Sequence, residues 1–294
     1  MREETATRLK LSKPSPDQSS LLENFVMAGT PGLQTDPTLS IPSPAVLGNL
    51  FIFILAGHET SANLMSNAIT LLAMNPEYQR AMQSEIDTIF ADQSNLQNSS
   101  YIATFTRLWD GRVGALLKEI LRLYSVLPFI VKSVPGVPQP ISFNGEKRIV
   151  PTGTTIFINT SATHRSPKHW PPPREPRIPG DEPPYPLSSF YPERWLPNSN
   201  SSPTKSNDET FEPIPGSYIP FSEGFRSCIG TRFTKIEVCA VIAHVFREYS
   251  VELANGDSAE TLREVAQNMS AGMVFEMGLK QGRATPLRFV KRGV

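Results

Sequence analysis

The sequence predicts a mainly α chain with a minor β region, an α+β arrangement. Three observations carry this. Apolar residues at helical spacing fill residues 45–91, 114–127 and 231–248. Between the last two stretches the period shortens to that of strands, over 141–161. More than half of the 28 prolines fall between Ser166 and Phe221, so irregular backbone is expected there.

The elements follow in order. Residues 1–44 read as a poorly ordered or loosely helical N-terminal segment, with a short helix over 21–29 and a proline-rich loop after it. Residues 45–294 read as part of a single domain. Residues 45–74 form a long helix, apolar nearly all round in its first half and therefore expected to be buried. Asn75 as N-cap and Pro76 at the first helical position open the next helix. A Ser/Asn/Gln-rich loop covers 92–100. "GALLKEILRLYSVLP" is a further helix, stopped by Pro128. "ISFNGEKRIV" reads as strand, Asn-Gly turn, strand, and "TTIFINTS" as another strand. Residues 231–248 return to helix. The tail segments "GMVFEMGLK" and "PLRFVK" suggest a closing pair of strands.

Composition narrows the function. The 28 basic and 28 acidic residues balance, so bulk electrostatics point to no nucleic-acid partner. Two cysteines, Cys228 and Cys239, are too few for a disulfide framework, and a reducing, intracellular setting is expected. The polar N-terminus lacks the apolar core of a secretory signal. The longest apolar run, Ala45 to Gly57, is shorter than the roughly 20 residues a bilayer requires, so no membrane anchor is expected.

The chemistry concentrates in "PFSEGFRSCIG", residues 220–230, which leads into the helix at 231. Gly224 and Gly230 permit backbone geometries other residues resist and leave room for a flat ligand. Cys228 precedes a helix N-terminus, whose dipole and free N–H groups favour a thiolate. Arg226 stands two residues away, able to pair with an anion. An ordinary buried cysteine is the bland alternative, but the pattern F-x-x-G-x-R-x-C-x-G is complete in Phe221, Gly224, Arg226, Cys228 and Gly230.

This loop resembles the haem-binding loop of the cytochrome P-450 family, the haem-thiolate monooxygenases. Three other stretches match that family in order. "AGHETS", 56–61, resembles the oxygen-binding segment of its central helix. "KEILR" supplies Glu119 and Arg122, and "YPERW" supplies Arg194. The resemblance implies the cytochrome P-450 fold and haem b (iron protoporphyrin IX). It implies Cys228 as the axial thiolate, Arg226 on a haem propionate and Phe221 beside the sulfur. Lys132 lies where the family often has a propionate-binding arginine, and a solvated strand lysine is an equal reading. Glu119, Arg122 and Arg194 are implied to form a buried structural network behind the loop.

The resemblance also gives the polar pair inside the long helix a purpose. A threonine hydroxyl can bond to the carbonyl one turn earlier and loosen the ladder, and Gly57 weakens the same turn. Glu59 and Thr60 then suit the proton delivery that reductive cleavage of O₂ consumes. Of the histidines, His58 holds the motif's variable position and His244 lies on a helix, and none shows metal-ligand spacing. Cys239 is expected to be an inert core thiol.

The resemblance runs from about residue 45 to the end, so the chain reads as the C-terminal haem-binding part of an N-terminally truncated P-450 domain. Poor solubility and weak haem retention are expected of it. The implied parent reaction inserts one atom of O₂ into a lipophilic organic substrate, with electrons from an NADPH-dependent reductase. Full-length relatives are commonly anchored to the endoplasmic reticulum, and the long insert before "YPERW" resembles fungal members. Two alternatives stand beside this reading: a non-catalytic haem-binding or interaction remnant, and an O₂-independent isomerase or rearrangement relative.

Overall fold

A computed structural model describes residues 5–7, 20–30, 32–33, 41–91, 101–170, 190–197, 211–270, 273–275 and 279–293. The chain divides into two units, residues 1–59 and 60–294. Helix α2, Ser43–Met74, contributes to both.

In the first unit, α1 (Leu21–Ala28) starts at a capping box. The Ser20 hydroxyl accepts the Glu23 N–H at 3.2 Å, and the Glu23 carboxylate accepts the Ser20 N–H at 2.7 Å. A Cβ on Gly29 would fall 2.4 Å from Val46 Cγ2, so α1 and the start of α2 approach this closely only without a side chain there. Phe25 and Phe53 add a ring contact with centroids 5.7 Å apart. Helix α2 starts two residues earlier than expected. Pro44 fits its first turn, where a missing N–H costs nothing.

The expectation that the first half of α2 is buried is wrong. Leu47, Phe51, Ile52 and Ile54 are exposed, while Val46 on the α1 side is buried. A helix that is apolar all round can bury only the faces for which partners exist, and α1 covers one. Extended through Met74, α2 has 32 residues, long and apolar enough by length and composition to cross a bilayer, a measure that core helices also meet.

The second unit has one main core. Leu64, Ala68, Leu71 and Leu72 of α2 pack with Met82 and Ile86 of α3 (Pro76–Ala91). Leu116, Leu117 and Ile120 of α5 (Arg112–Leu123) join them, as do Leu108 of α4 (Tyr101–Asp110) and Val238, Ile242 and Phe246 of the later helix Thr231–Glu248. Helix α4 is an element that sequence periodicity did not reveal. It meets α5 so tightly that a Cβ on Gly114 would lie 1.8 Å from the Trp109 carbonyl oxygen. Helix α5 ends at Leu123, well before Pro128. The Tyr124 N–H closes on the Ile120 carbonyl, and the Ser125 hydroxyl takes the Leu121 carbonyl. At the α2–α3 joint, the Asn75 side chain donates to the Leu71 carbonyl at 2.8 Å, so it closes α2, while its backbone carbonyl opens α3.

The strands pair two by two, all antiparallel. β1 (Phe129–Ser133) pairs with β4 (Thr155–Asn159), Lys132 opposite Ile156. β2 (Gln139–Phe143) and β3 (Glu146–Val150) make the expected hairpin, turning on Asn144 and Gly145 at φ 51° and 81°. A helical turn α6 (Thr160–Thr163) and a 3₁₀ turn (Pro192–Trp195) follow. Helix α7 occupies Thr231–Glu248, with the bounds expected for it.

The two tail segments do not pair with each other, which corrects that expectation. β8 (Leu287–Lys291) pairs instead with β5 (Tyr249–Leu253), directly after α7, and β6 (Met273–Phe275) pairs with β7 (Leu279–Gln281). Helix α8, Ala259–Ser270, lies between them in sequence. β5 is held from its helix side: the Gln79 side chain takes both the N–H (2.8 Å) and the carbonyl (2.9 Å) of Val251. Much of the proline-rich stretch, 171–189 and 198–210, lies outside the described residues.

Candidate functional site

The structure brings Glu119, Arg122 and Arg194 together at the back of the site. All three are buried, with exposures of 0, 0 and 1 %. Arg122 binds Glu119 with two parallel N–H groups, Nε at 2.9 Å and Nη2 at 2.8 Å. Arg194 Nε lies 3.1 Å from Glu119 Oε2. The Tyr191 N–H and the Trp195 indole N–H, each at 3.0 Å, complete the carboxylate's shell. Burial alone would raise the Glu119 pKa. The two guanidiniums and the Tyr191 N–H outweigh it and hold the carboxyl below its ordinary range. Arg122 also donates to the His164 carbonyl at 3.2 Å and lies over the Trp170 ring, 5.4 Å from its centroid.

The segment 217–222 is anchored to this core by side chains. Trp170 Nε1 donates to the Ser217 carbonyl at 3.2 Å, and the Tyr218 hydroxyl donates to the Lys118 carbonyl at 3.0 Å. His164 Nε2 accepts the Ile219 N–H at 2.9 Å. That donor assigns the proton to Nδ1, which faces the Ser125 hydroxyl at 3.0 Å. Burial lowers the His164 pKa to about 4, so the ring is neutral.

Beyond the anchors the backbone turns sharply. Ser222 and Gly224 take φ of 61° and 78°, the left-handed region in which glycine is at no disadvantage. The Cys228 N–H donates to the Phe221 carbonyl at 2.8 Å, closing the loop, and the Cys228 carbonyl accepts the Thr231 hydroxyl at 2.7 Å. Cys228 is exposed, ahead of the α7 N-terminus, and Gly230 caps that helix. Gly230 corrects one expectation. Its φ of −80° is open to any residue, and a Cβ there would sit 3.7 Å from the Cys228 sulfur. What glycine supplies at 230 is clearance beside the thiol rather than backbone freedom.

Beside the exposed Glu223 and Ser227 of the loop, two apolar residues are open to solvent, Phe225 at 99 % and Ile229 at 81 %. Arg226 is exposed between them. Phe221 is half-buried and packs against the main core. Lys132 of β1, half-buried, reaches the loop with Nζ 3.5 Å from the Ser222 hydroxyl. Behind the loop, the ammonium groups of Lys118 and Lys235 lie 5.0 and 4.8 Å from the centroid of the Trp109 ring. The second cysteine, Cys239, is buried on α7, and burial pushes its thiol up to about 12.

On α2, Glu59 is half-buried in the first unit and Thr60, half-buried, begins the second. Both residues lie inside the unbroken helix Ser43–Met74. A Cβ on Gly57 would meet nothing within 4 Å. Next to Thr60, the buried Ser61 hydroxyl donates to Glu237 of α7 at 2.8 Å.

The sequence model of the family described as Cytochrome P450 matches residues 34–271. The chain belongs to the cytochrome P450 family. Among its relatives are cytochrome P450 monooxygenase prx9 of Penicillium rubens and cytochrome P450 monooxygenase ORF6 of Penicillium roqueforti, each 27 % identical over 258 residues, covering 84 % of this chain and 40 % of the relative. Cytochrome P450 4c3 of Drosophila melanogaster is 32 % identical over 201 residues, covering 68 % of this chain and 31 % of the relative. The chain thus spans two-fifths or less of the length of these curated relatives.

Within this cytochrome P450 frame, several residues escaped sequence reasoning. His164 and Trp170 carry the loop anchors, yet each is a lone residue in a stretch without period. The Ser61–Glu237 bond joins positions 176 apart, which no local pattern announces. Ser222 gives no sign of its positive φ in a sequence that offers a glycine two residues later.

Proposed function

We propose that residues 220–230 would hold haem b, with Cys228 as its thiolate ligand, in a monooxygenase that inserts one atom of O₂ into a lipophilic substrate. The single observation that carries this is the exposed Cys228, closed against Phe221 and surrounded by the exposed Phe225 and Ile229. Such a surface fits the group. A soft sulfur ligand stands on an exposed loop that carries Phe225 and Ile229 and has no side chain at 224 or 230, and a flat apolar macrocycle would cover it. Arg226 and Lys132 are the cations assigned to its propionates. When bound, the group supplies O₂ activation, driven by electrons from an NADPH-dependent reductase.

The chain's own residues supply the rest. The loop hydrogen bonds orient the sulfur, and Phe221 packs the loop against the core. Glu59 and Thr60 hold and move the protons that O₂ reduction consumes. The Glu119 network keeps the anchors in place and takes no part in chemistry. An intracellular site, in relatives' fashion at the endoplasmic reticulum, suits such a partner. The test is the carbon monoxide difference spectrum of the reduced, haem-loaded chain. A strongly red-shifted Soret band in the wild type, absent from Cys228→Ala, is expected. A band at the ordinary haem position in both proteins contradicts the assignment.

A further inference from the structure

The route from the buried network to the cysteine alternates hydrogen bonds with covalent links, and His164 is its middle link. Arg122 donates to the His164 carbonyl. The His164 ring accepts the Ile219 N–H. The Ile219 carbonyl accepts the Ser222 N–H at 3.1 Å, and the Phe221 carbonyl accepts the Cys228 N–H at 2.8 Å. On its other side the ring is fully satisfied: Nδ1–H donates to the Ser125 hydroxyl, which donates to the Leu121 carbonyl. The ring also lies against Tyr218, centroids 5.3 Å apart.

We propose that His164 is a positioning residue for the Cys228 loop, whose neutral imidazole latches the loop at Ile219 and releases it when protonated. The proposal rests on the reading of that loop as the haem-binding loop. The reason is stereochemical. Nε2 can hold the Ile219 N–H only through a lone pair, and an imidazolium has none. Protonation would turn an acceptor into a donor facing a donor, and the Ile219 amide would lose its partner.

The surroundings favour the neutral ring. Arg122 on α5 and Arg165, next in the chain, oppose a positive charge. Glu119 is committed to Arg122 and Arg194. The Tyr124 and Tyr218 hydroxyls are pushed up by burial and stay neutral. Buried as it is, the ring resists protonation until the pH nears 4, whereas an exposed histidine takes up a proton near 6.5. Opening of the latch therefore becomes easier as pH falls through that interval. By linkage, the opening constant rises about 30-fold between pH 7.5 and pH 5.

The test is amide hydrogen exchange of the full chain at pH 7.5 and pH 5, corrected for the intrinsic pH dependence of exchange. Protection of the Ile219 amide is expected to fall about 30-fold, while the amides of Leu116, Leu117 and Ile120 on α5 lose much less. In His164→Gln, whose carboxamide accepts a hydrogen bond and does not titrate, Ile219 protection is expected to be the same at both pH values. In haem-loaded protein, the thiolate band is expected to fade over the same interval in the wild type and to persist at pH 5 in His164→Gln. Ile219 protection that ignores pH, or that falls only in step with the α5 amides, overturns the latch. A pH-dependent latch without a thiolate band at any pH upholds it and overturns the haem reading instead.

Discussion

The Glu119 cluster and the Cys228 loop lie in the same unit and are joined through His164, yet they are built on opposite terms. Around Glu119 the charges are buried and meet one another. Around Cys228 the side chains, apolar Phe225 and Ile229 and charged Glu223 and Arg226, are exposed and unpaired with one another among the hydrogen bonds and ion pairs described, and the order is in the backbone. In the first region both oxygens of the buried carboxylate are engaged, which is what makes its burial tolerable. The second presents exposed side chains on a loop closed by backbone hydrogen bonds.

Breaking the first region should cost most. Glu119→Ala leaves two buried guanidiniums without their carboxylate, and a loss of about 3–5 kcal/mol is expected. Urea unfolding followed by tryptophan fluorescence would show it, since Trp170 and Trp195 sit on the cluster. A loss below about 1 kcal/mol would mean that the cluster is not what holds the scaffold.

Acid should act next, and in two stages. The His164 pKa is depressed on folding, so its contribution is fully present above the unfolded value of 6.5 and is lost as pH falls towards about 4. That is worth about 3 kcal/mol over the interval. Glu119 is also depressed, from an ordinary value of 4.5, so its share is lost only at lower pH still. Urea midpoints measured from pH 7.5 to 4.5 should therefore decline in the wild type and stay flatter in His164→Gln.

These residues also mark the limit of what the sequence discloses. Helix α7, the Asn-Gly hairpin and the glycine-cysteine loop were legible because each is a local pattern: a period, a turn dipeptide, a spacing. Glu119, Arg122 and Arg194 were legible only through the resemblance, because an E-x-x-R spacing alone is an ordinary solvated pair. The pairing of β5 with β8 was missed because both are short and far apart in sequence, and nothing along either strand names its partner. The exposed first half of α2 was misread because an apolar sequence states what a helix can bury and says nothing of whether a partner is there.

Smaller changes sharpen the contrast. Gly114→Ala forces a methyl against the Trp109 carbonyl, and a cost of about 1–3 kcal/mol is expected from such overpacking in the same urea assay. Cys228→Ala should change stability by no more than about 0.5 kcal/mol, because the side chain is exposed. A larger loss would show that the thiol is part of the fold rather than of the surface.

The most direct measurement is a titration of the reduced chain with haem under carbon monoxide, run beside Cys228→Ala. A strongly red-shifted Soret band in the wild type alone, with equal urea midpoints for the two proteins, is the expected result. The same spectrum from both would contradict the assignment of an iron-bound sulfur to this loop.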